Sequence, residues 1–482
     1  MVEIRVTNTL TRQKEPLIPL RPGQISMYVC GVTPYDATHA GHARPAVVFD
    51  VVRRFLQRKG FQVRMVQNFT DVDDKIIARA NERGRDPLEL AQTYSQEYLQ
   101  SMDRLGVGRA DVYPRVSEHI ADVIAMVEEL VRKGFAYVAD GDVFFDVSRF
   151  PEYGRLSNQK LSELETGTRF DVDERKRHPA DFALWKATRP DEPAWDSPWG
   201  HGRPGWHIEC SAMSSRYLGD QIDIHGGGVD LVFPHHENEI AQSEAFSGRT
   251  PFVRYWLHNG LVNLNGEKMS KSLGNFLSVE DVLAKYPAAL LRFFILSHHY
   301  RSPVDFASEH LEAARKGWQR LNTLVWELLD LGLSPQWPGL TSLWSGEAEL
   351  DPKGLGETTA KAVREFDEAM SDDFNTPRAI GVLFDVVREV RAAGMEAKGM
   401  VSALSFLQEA AGDILGVLSE RPSEIPSEDL SAQLLEMLVE LRGDARERRD
   451  WAQADRIRDR LKELGVMLED TPAGTRWVVR SK

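Results

Sequence analysis

Cysteine is nearly absent: Cys30 and Cys210 are the only two in 482 residues. So few thiols exclude a disulfide-stapled scaffold. No apolar run reaches the roughly eighteen residues that a membrane-spanning helix needs. Residues 1–17 hold no apolar stretch flanked like a signal peptide, so a cytoplasmic protein without a membrane partner is expected. A basic excess is missing too, since 59 Lys and Arg face 73 Asp and Glu, a formal charge of −14. That balance does not by itself suggest a polyanion partner, although a local basic surface is enough to meet phosphates. No internal repeat is visible. What is present is an ordinary globular composition, 42% hydrophobic and 27% charged. The chain is too long for one core, and roughly two to four domains are expected.

The first 75 residues alternate strand and helix. Met27 to Cys30 is a short apolar strand ending at Gly31. Val48, Val51, Val52, Phe55 and Leu56 recur at helical spacing until Lys59-Gly60. Gln62 to Phe69 alternates as a second strand. Strand, helix and strand in this compass predict a parallel β-α-β unit in an open α/β sheet. Ligands bind such sheets at the carboxyl ends of the strands, where Cys30 falls. From about 119 to 200 the pattern changes to a helix (Ile120 to Lys133), a strand-like Asp142 to Val147, and a stretch rich in Pro, Arg, Asp and Trp. This segment reads as an insertion between two halves of the sheet domain. Gln221 to His225 then alternates like a strand and runs into the glycine turn Gly226-Gly227-Gly228.

After about 310 the chain reads as helical. Leu311, Ala314, Trp318, Leu321, Val325 and Leu328 form one buried stripe. A linker from Gly332 to Gly356 follows. Asn375-Thr376-Pro377 starts another helix, and Val401 to Leu418 carries a third. Pro422 to Ser431 is a second linker, and a small C-terminal unit closes the chain with a solvated helix over Ala445 to Leu464.

Three clusters carry chemistry. His235 and Glu239, four apart, project from one face of a helix. With Cys30 and Cys210 they make a plausible tetrahedral zinc set. Two thiolates and a carboxylate around Zn²⁺ leave a net charge of −1, unsuited to activating water but acceptable for taking a soft thiolate. Second, Thr38-His39-Ala40-Gly41-His42-Ala43 joins the first strand to its helix. Gly41 lets a ligand approach the backbone, the helix start offers free N–H groups to phosphate, and two imidazoles can hydrogen-bond phosphate oxygens. Third, Gly266-Glu267-Lys268-Met269-Ser270-Lys271-Ser272-Leu273-Gly274 sets two lysines three apart in a glycine-bounded loop, a cation pair suited to a triphosphate.

The second and third clusters resemble the HIGH and KMSKS elements of class I aminoacyl-tRNA synthetases. Cys30, Cys210, His235 and Glu239, with Trp206 just before, resemble the cysteinyl branch of that family. Asn68 to Lys75, Phe374-Asn375-Thr376-Pro377 and Trp451 to Arg458 agree, so the resemblance runs from about residue 20 to Trp477. Two departures stand out. Ala40 replaces the usual Ile at a packing position. Gly31-Val32-Thr33-Pro34-Tyr35-Asp36 replaces Gly-Pro-Thr-Val-Tyr-Asp, a variant also similar to the cysteine ligases of mycothiol synthesis.

The resemblance implies that cysteine and ATP form cysteinyl-adenylate, which then esterifies the 3′ adenosine of tRNA(Cys). It implies one zinc per chain, Mg²⁺ entering with ATP, and a monomer. His39 and His42 would serve the phosphates, and Lys268 and Lys271 would close over the pyrophosphate. Gly41, His42, Gly227, Asp230 and Lys271 would bind ATP, while Gly31, Thr70 and Trp206 would meet the amino acid. The zinc would take the substrate thiolate and so reject serine. The implied fold is α/β, a Rossmann-like parallel sheet in two halves (1–118 and 201–260) around a connective insertion (119–200). A lysine loop and linking subdomain (261–310), a helical anticodon-binding bundle (311–425) and a small C-terminal subdomain (426–482) follow. In 441–482 eleven Arg and Lys exceed eight Asp and Glu, a modest excess suited to phosphates. Arg476 and Trp477 are candidates to meet anticodon bases. Truncation near 310 is expected to spare adenylate formation and to ruin charging. The rival readings are the mycothiol-pathway ligase and a non-catalytic tRNA-binding relative.

Overall fold

The structure is a computed structural model that describes residues 2–161, 173–189, 192–264, 266–268, 277–334, 355–394, 399–421, 427–463, 466–471 and 474–479. The chain divides into two compact units, Met1–Ser419 and Glu420–Lys482. At the centre of the first lies a parallel sheet of four strands, in chain order Gln24–Val32, Gln62–Phe69, Ile222–Gly228 and Val253–Asn259. In space the order is fourth, third, first, second. The chain therefore moves one way from the first strand to the second, and the other way to the third and fourth. That reversal opens a crevice beyond the carboxyl ends of the first and third strands, where ligands bind in such sheets. Cys30 and Gly228 stand at those two ends.

The helix Ala40–Arg58 follows the first strand and buries Ala43, Val47, Val51, Phe55 and Leu56. Its apolar face continues into a core shared with the later helices, including Phe294, Trp318, Leu383 and Leu404. Inside that core Arg292 donates to the Asp50 carboxylate at 2.7 Å and to the Leu415 carbonyl, with Asp50 itself buried. Replacing Asp50 with alanine leaves a buried guanidinium without its counter-charge, and a loss of about 3–5 kcal/mol is expected in urea unfolding.

The insertion is a helix (Ile120–Arg132) on a four-stranded antiparallel sheet, Ala136–Ala139, Asp142–Phe145, Phe182–Ala187 and Gly202–Pro204. The expected boundary at 200 falls inside this sheet. Gly202 to Pro204 belongs to it because Trp185 to Ala187 needs an edge partner. The lysine loop starts on a small three-stranded sheet of Val262–Leu264, Glu267–Lys268 and Val304–Asp305.

The expected apolar stripe lies in the helix Ser308–Asp330. Asn375 caps the helix Thr376–Ala393 by accepting from the Arg378 N–H at 3.1 Å. The linker expected from 332 to 356 falls mostly outside the described residues, and so does the start of the one at 422. The rest of that second linker is helical, within Ser427–Glu447. The single helix expected over 445 to 464 is two, Ser427–Glu447 and Trp451–Glu463. Arg449 adopts φ 60° between them, and Asp450 accepts from the Gln453 N–H to start the second. The antiparallel hairpin Val466–Thr471 and Gly474–Val479 completes this unit. Among the described residues no helix is long and apolar enough to cross a membrane.

Candidate active site and metal centre

The first strand ends irregularly. Val29 pairs with Gln67 but Val32 with Phe69, so Cys30 and Gly31 hold one residue more than their neighbour strand. Such a bulge bends the strand and re-aims its side chains. Gly31 is obligatory there, because a Cβ would lie 1.6 Å from the Asn68 carbonyl oxygen. The Gly31 N–H donates to the Asn68 Oδ1 at 2.9 Å, and Asn68 in turn donates to Thr70.

Cys210 lies in the first turn of the helix Ile208–Leu218, with its Sγ 3.9 Å from the Cys30 Sγ. His235 sits on a wide turn, Val232–His236, that runs into the helix Glu237–Ser247. The four-residue spacing brings the His235 Nε2 to 3.0 Å from the Glu239 Oε1, and that oxygen is 3.6 Å from the Cys30 Sγ. One donor atom from each of Cys30, Cys210, His235 and Glu239 lies within 4.8 Å of the others. The donor set is two sulfurs, one imidazole and one carboxylate, which suits a tetrahedral divalent ion such as zinc.

The charges agree with such an ion. Burial pushes the Cys210 thiol up, but contacts with Cys30 and His235 outweigh it and hold the thiol below its ordinary value. Burial likewise opposes ionisation of Glu239, yet His225 and His235 hold its carboxyl down at about 2. Burial, then the neighbouring Cys210, pushes Cys30 well up. Two closely placed thiols cannot both ionise without a cation between them.

Behind these residues lies a layer of imidazoles that the sequence reading missed. His225 Nε2 is 2.8 Å from the Glu239 Oε2. His236 Nε2 is 3.2 Å from the Cys30 Sγ, and its Nδ1 is 2.7 Å from the His258 Nε2. His207 Nδ1 is 3.0 Å from the His235 Nδ1. Burial, reinforced by neighbouring imidazoles (His235 for His207, His225 for His236 and His258), holds His207, His236 and His258 neutral, the last with a pKa of about 3. Cys30, His225, His236 and Glu239 form a second metal-capable group that shares two donors with the first. The doublet His235-His236, and His225 and His258 within strand-like runs, were the available signals.

A cavity of about 430 Å³ opens in front of Cys30, Cys210 and His235. Gly31, Thr70 and Trp206 line it, and so do His39, Gly41, His42, Gly227 and Asp230. Trp206 is 41% exposed, so it is a wall of the cavity and no core residue, with its ring centroid 4.6 Å from that of His235. The His39 and His42 rings stack at 3.7 Å at the start of the Ala40–Arg58 helix. Gly41 sits beneath them, where a Cβ would come within 2.8 Å of the His39 ring. Ala40 is fully buried and does not line the cavity. One expectation is corrected: Gly226 to Gly228 are the last residues of the third strand, paired with Leu257 to Asn259, and form no turn. The missing side chain of Gly226 admits the Phe49 ring, which a Cβ there would meet at 2.2 Å. Lys75 and Asn259, also unforeseen, line the same cavity. The Lys268 backbone lies in the strand Glu267–Lys268, while Lys271 falls outside the described residues.

Residues 16–316 match the tRNA synthetases class I (C) catalytic domain, 365–419 the DALR domain, and 428–477 the cysteinyl-tRNA ligase anticodon binding domain. The cysteine–tRNA ligase of Pelotomaculum thermopropionicum is 52% identical over 98% of this chain and 99% of its own. The chain belongs to the cysteine–tRNA ligase family. Another member, from Heliobacterium modesticaldum, is 49% identical over 99% of both chains. Among solved structures, Mycobacterium tuberculosis methionyl-tRNA synthetase in complex with methionyl-adenylate superposes with a TM-score of 0.58. At 15% identity over 81% of this chain and 90% of that one, the likeness shows a shared class I fold. The α/β fold expected for the family, a parallel sheet followed by helical regions, is the one observed.

Proposed function

We propose that the chain is a cysteine–tRNA ligase, joining L-cysteine to ATP as cysteinyl-adenylate and passing it to the 3′ adenosine of tRNA(Cys). The observation that carries this reading is convergence. Three of the four metal donors, Cys30, Cys210 and His235, and the paired histidines of the helix start border one cavity of about 430 Å³, enough for a small amino acid beside a nucleotide.

Cys30, Cys210, His235 and Glu239 hold one zinc in this reading. The alternative group is disfavoured because only one of its donors, Cys30, borders the cavity, against Cys30, Cys210 and His235 of the first. Held by the first group, zinc would supply a soft Lewis acid able to bind a substrate sulfur as thiolate, a bond for which a serine hydroxyl is too basic. Shape alone would separate the two amino acids by only about 1–3 kcal/mol. His225 fixes the Glu239 carboxylate, and His207 fixes the His235 ring with its Nε2 toward the donors, as outer partners of ligands do. Trp206 walls the amino-acid end, and Gly31 and Thr70 border it.

The cysteine carboxylate attacks the α-phosphate of ATP and pyrophosphate leaves, with Mg²⁺ travelling on the phosphates. Such a displacement requires positioning and charge neutralisation more than covalent help. His39 and His42 lie where the helix start directs N–H groups at phosphate. Gly227 and Asp230 border the adenosine side, and Lys268 and Lys271 close over the pyrophosphate. The helical region to 419 and the C-terminal unit receive tRNA, with Arg476 and Trp477 as candidate base contacts.

The mycothiol-type rival shares the first step but not the acceptor. The anticodon-domain match at 428–477 supports tRNA as that acceptor. A non-catalytic relative has no need of the donor set that is retained here. The test is charging of total tRNA with labelled cysteine or serine in parallel. Cysteine should accumulate on tRNA at least about a thousandfold more efficiently than serine, beyond what volume alone allows. Failure to label tRNA with cysteine would sink the reading.

A further inference from the structure

Two residues past His42 lies a side chain with no place in the chemistry above. Arg44 is fully buried in the Ala40–Arg58 helix, and among the described residues it meets no carboxylate. Its Nη1 donates to the carbonyls of Gly260 at 3.0 Å and Leu261 at 2.8 Å. Its Nη2 donates to those of His299 at 3.4 Å, Tyr300 at 3.1 Å and Ser302. Only Nε is left without a hydrogen-bond partner. Burial draws its pKa down to about 10, so it stays charged at neutral pH. A buried cation is normally paired with an anion, yet here its charge is spent wholly on backbone dipoles.

Those carbonyls belong to two segments. Gly260 and Leu261 follow the fourth strand and border the active cavity. The turn His299 to Ser302 leads into the strand Val304–Asp305. The segments touch closely: the Gly260 N–H donates to the Tyr300 carbonyl, and a Cβ on Gly260 would lie 2.4 Å from the Ser302 oxygen. Just beyond the junction Val262 pairs with Val304, and Asn263 pairs with both Asp305 and Lys268. The Gly266 N–H donates to the Asp305 Oδ2 at 2.9 Å. The first strand of the lysine-bearing hairpin and the strand Val304–Asp305 that pairs beside it thus both begin just past carbonyls that Arg44 gathers.

We propose that Arg44 is a positioning residue, which sets the base of the lysine-bearing hairpin against the histidine turn so that both meet one triphosphate. The inference rests on the adenylation reading above. It separates two groups of residues: Arg44 governs the phosphate end, while the thiol end is built on strands and helices that it does not bond. A lysine has one ammonium and cannot span the five oxygens that a guanidinium fork reaches.

The test measures cysteine-dependent exchange of pyrophosphate into ATP, per titrated active site, for wild type, Arg44→Lys and Tyr300→Phe. Tyr300 holds the same turn from outside through its hydroxyl, which donates to Asp373. In Arg44→Lys, kcat should fall about a hundredfold through misplaced groups, with cysteine KM and zinc content unchanged. In Tyr300→Phe, kcat should fall several-fold with the same unchanged KM. A purely structural arginine would lower the titrated fraction and leave kcat per site alone, which would overturn the proposal. So would a rise in cysteine KM alongside the fall in kcat. If Arg44→Lys yields no folded protein, Tyr300→Phe decides: lower kcat at constant cysteine KM supports the role, and wild-type kcat refutes it. Exchange by the wild type tests the function itself, so the two readings can fail separately.

Discussion

Replacing Cys210 with serine should strip zinc from the protein and lower cysteine-dependent ATP–pyrophosphate exchange by about a thousandfold or more, ~4 kcal/mol of barrier. Cys210 is 1% exposed, and serine is smaller by little, so the helix Ile208–Leu218 should stand. What changes is the donor. The hydroxyl does not ionise, whereas contacts with Cys30 and His235 favour the Cys210 thiolate. The remaining Cys30, His235 and Glu239 stay buried, and three donors hold a divalent ion far less tightly than four. Two measurements check this together, zinc by atomic absorption and exchange at saturating ATP. Wild-type exchange by protein with no bound zinc would refute a metal that reads the substrate thiol. Loss of exchange with zinc retained would mean that Cys210 acts otherwise than as a ligand.

The sequence exposed the chemistry of this site better than its support. Cys30, Cys210, His235 and Glu239 could be picked because two cysteines in a whole chain and a four-residue His–Glu spacing are rare local patterns. The imidazole layer could not, because it needs His225 and His258 on the paired third and fourth strands and His236 on the turn after the third. Arg44 was hidden for a similar reason: its partners are carbonyls more than 200 residues away, and backbone acceptors leave no mark on sequence. The glycine run was visible but misread as a turn, since only the structure shows the Phe49 ring against Gly226. The helix break near Arg449 was missed because the charged pattern runs through it unchanged. Strand and helix periods, being local, carried over to the parallel sheet and to the stripe on Ser308–Asp330.

Ending the chain at Ser419 should leave pyrophosphate exchange within about twofold of the full chain and reduce tRNA charging at least about a hundredfold, ~3 kcal/mol. The sequence alone suggested a cut near 310, but the packing argues against it. Arg58 pairs with Glu409, Lys59 pairs with Asp367 at 2.7 Å, and Arg292 donates to the Leu415 carbonyl, all buried. Removing 311–419 would take the carboxylate partners from Arg58 and Lys59, each at a cost of several kcal/mol, and one carbonyl acceptor from Arg292. Exchange would then be lost for want of a fold, and the cut would say nothing about tRNA. The main core draws its residues from Ile4 to Leu418, so a cut after Ser419 spares every side chain in it. What departs is a unit with its own helices and hairpin, holding the matched anticodon domain and the local basic excess. Phosphate contacts of that kind weaken steeply with salt, so raising salt should inhibit charging by the full chain well before it inhibits exchange. Full charging by the shortened protein would show that residues after 419 are dispensable for recognising tRNA.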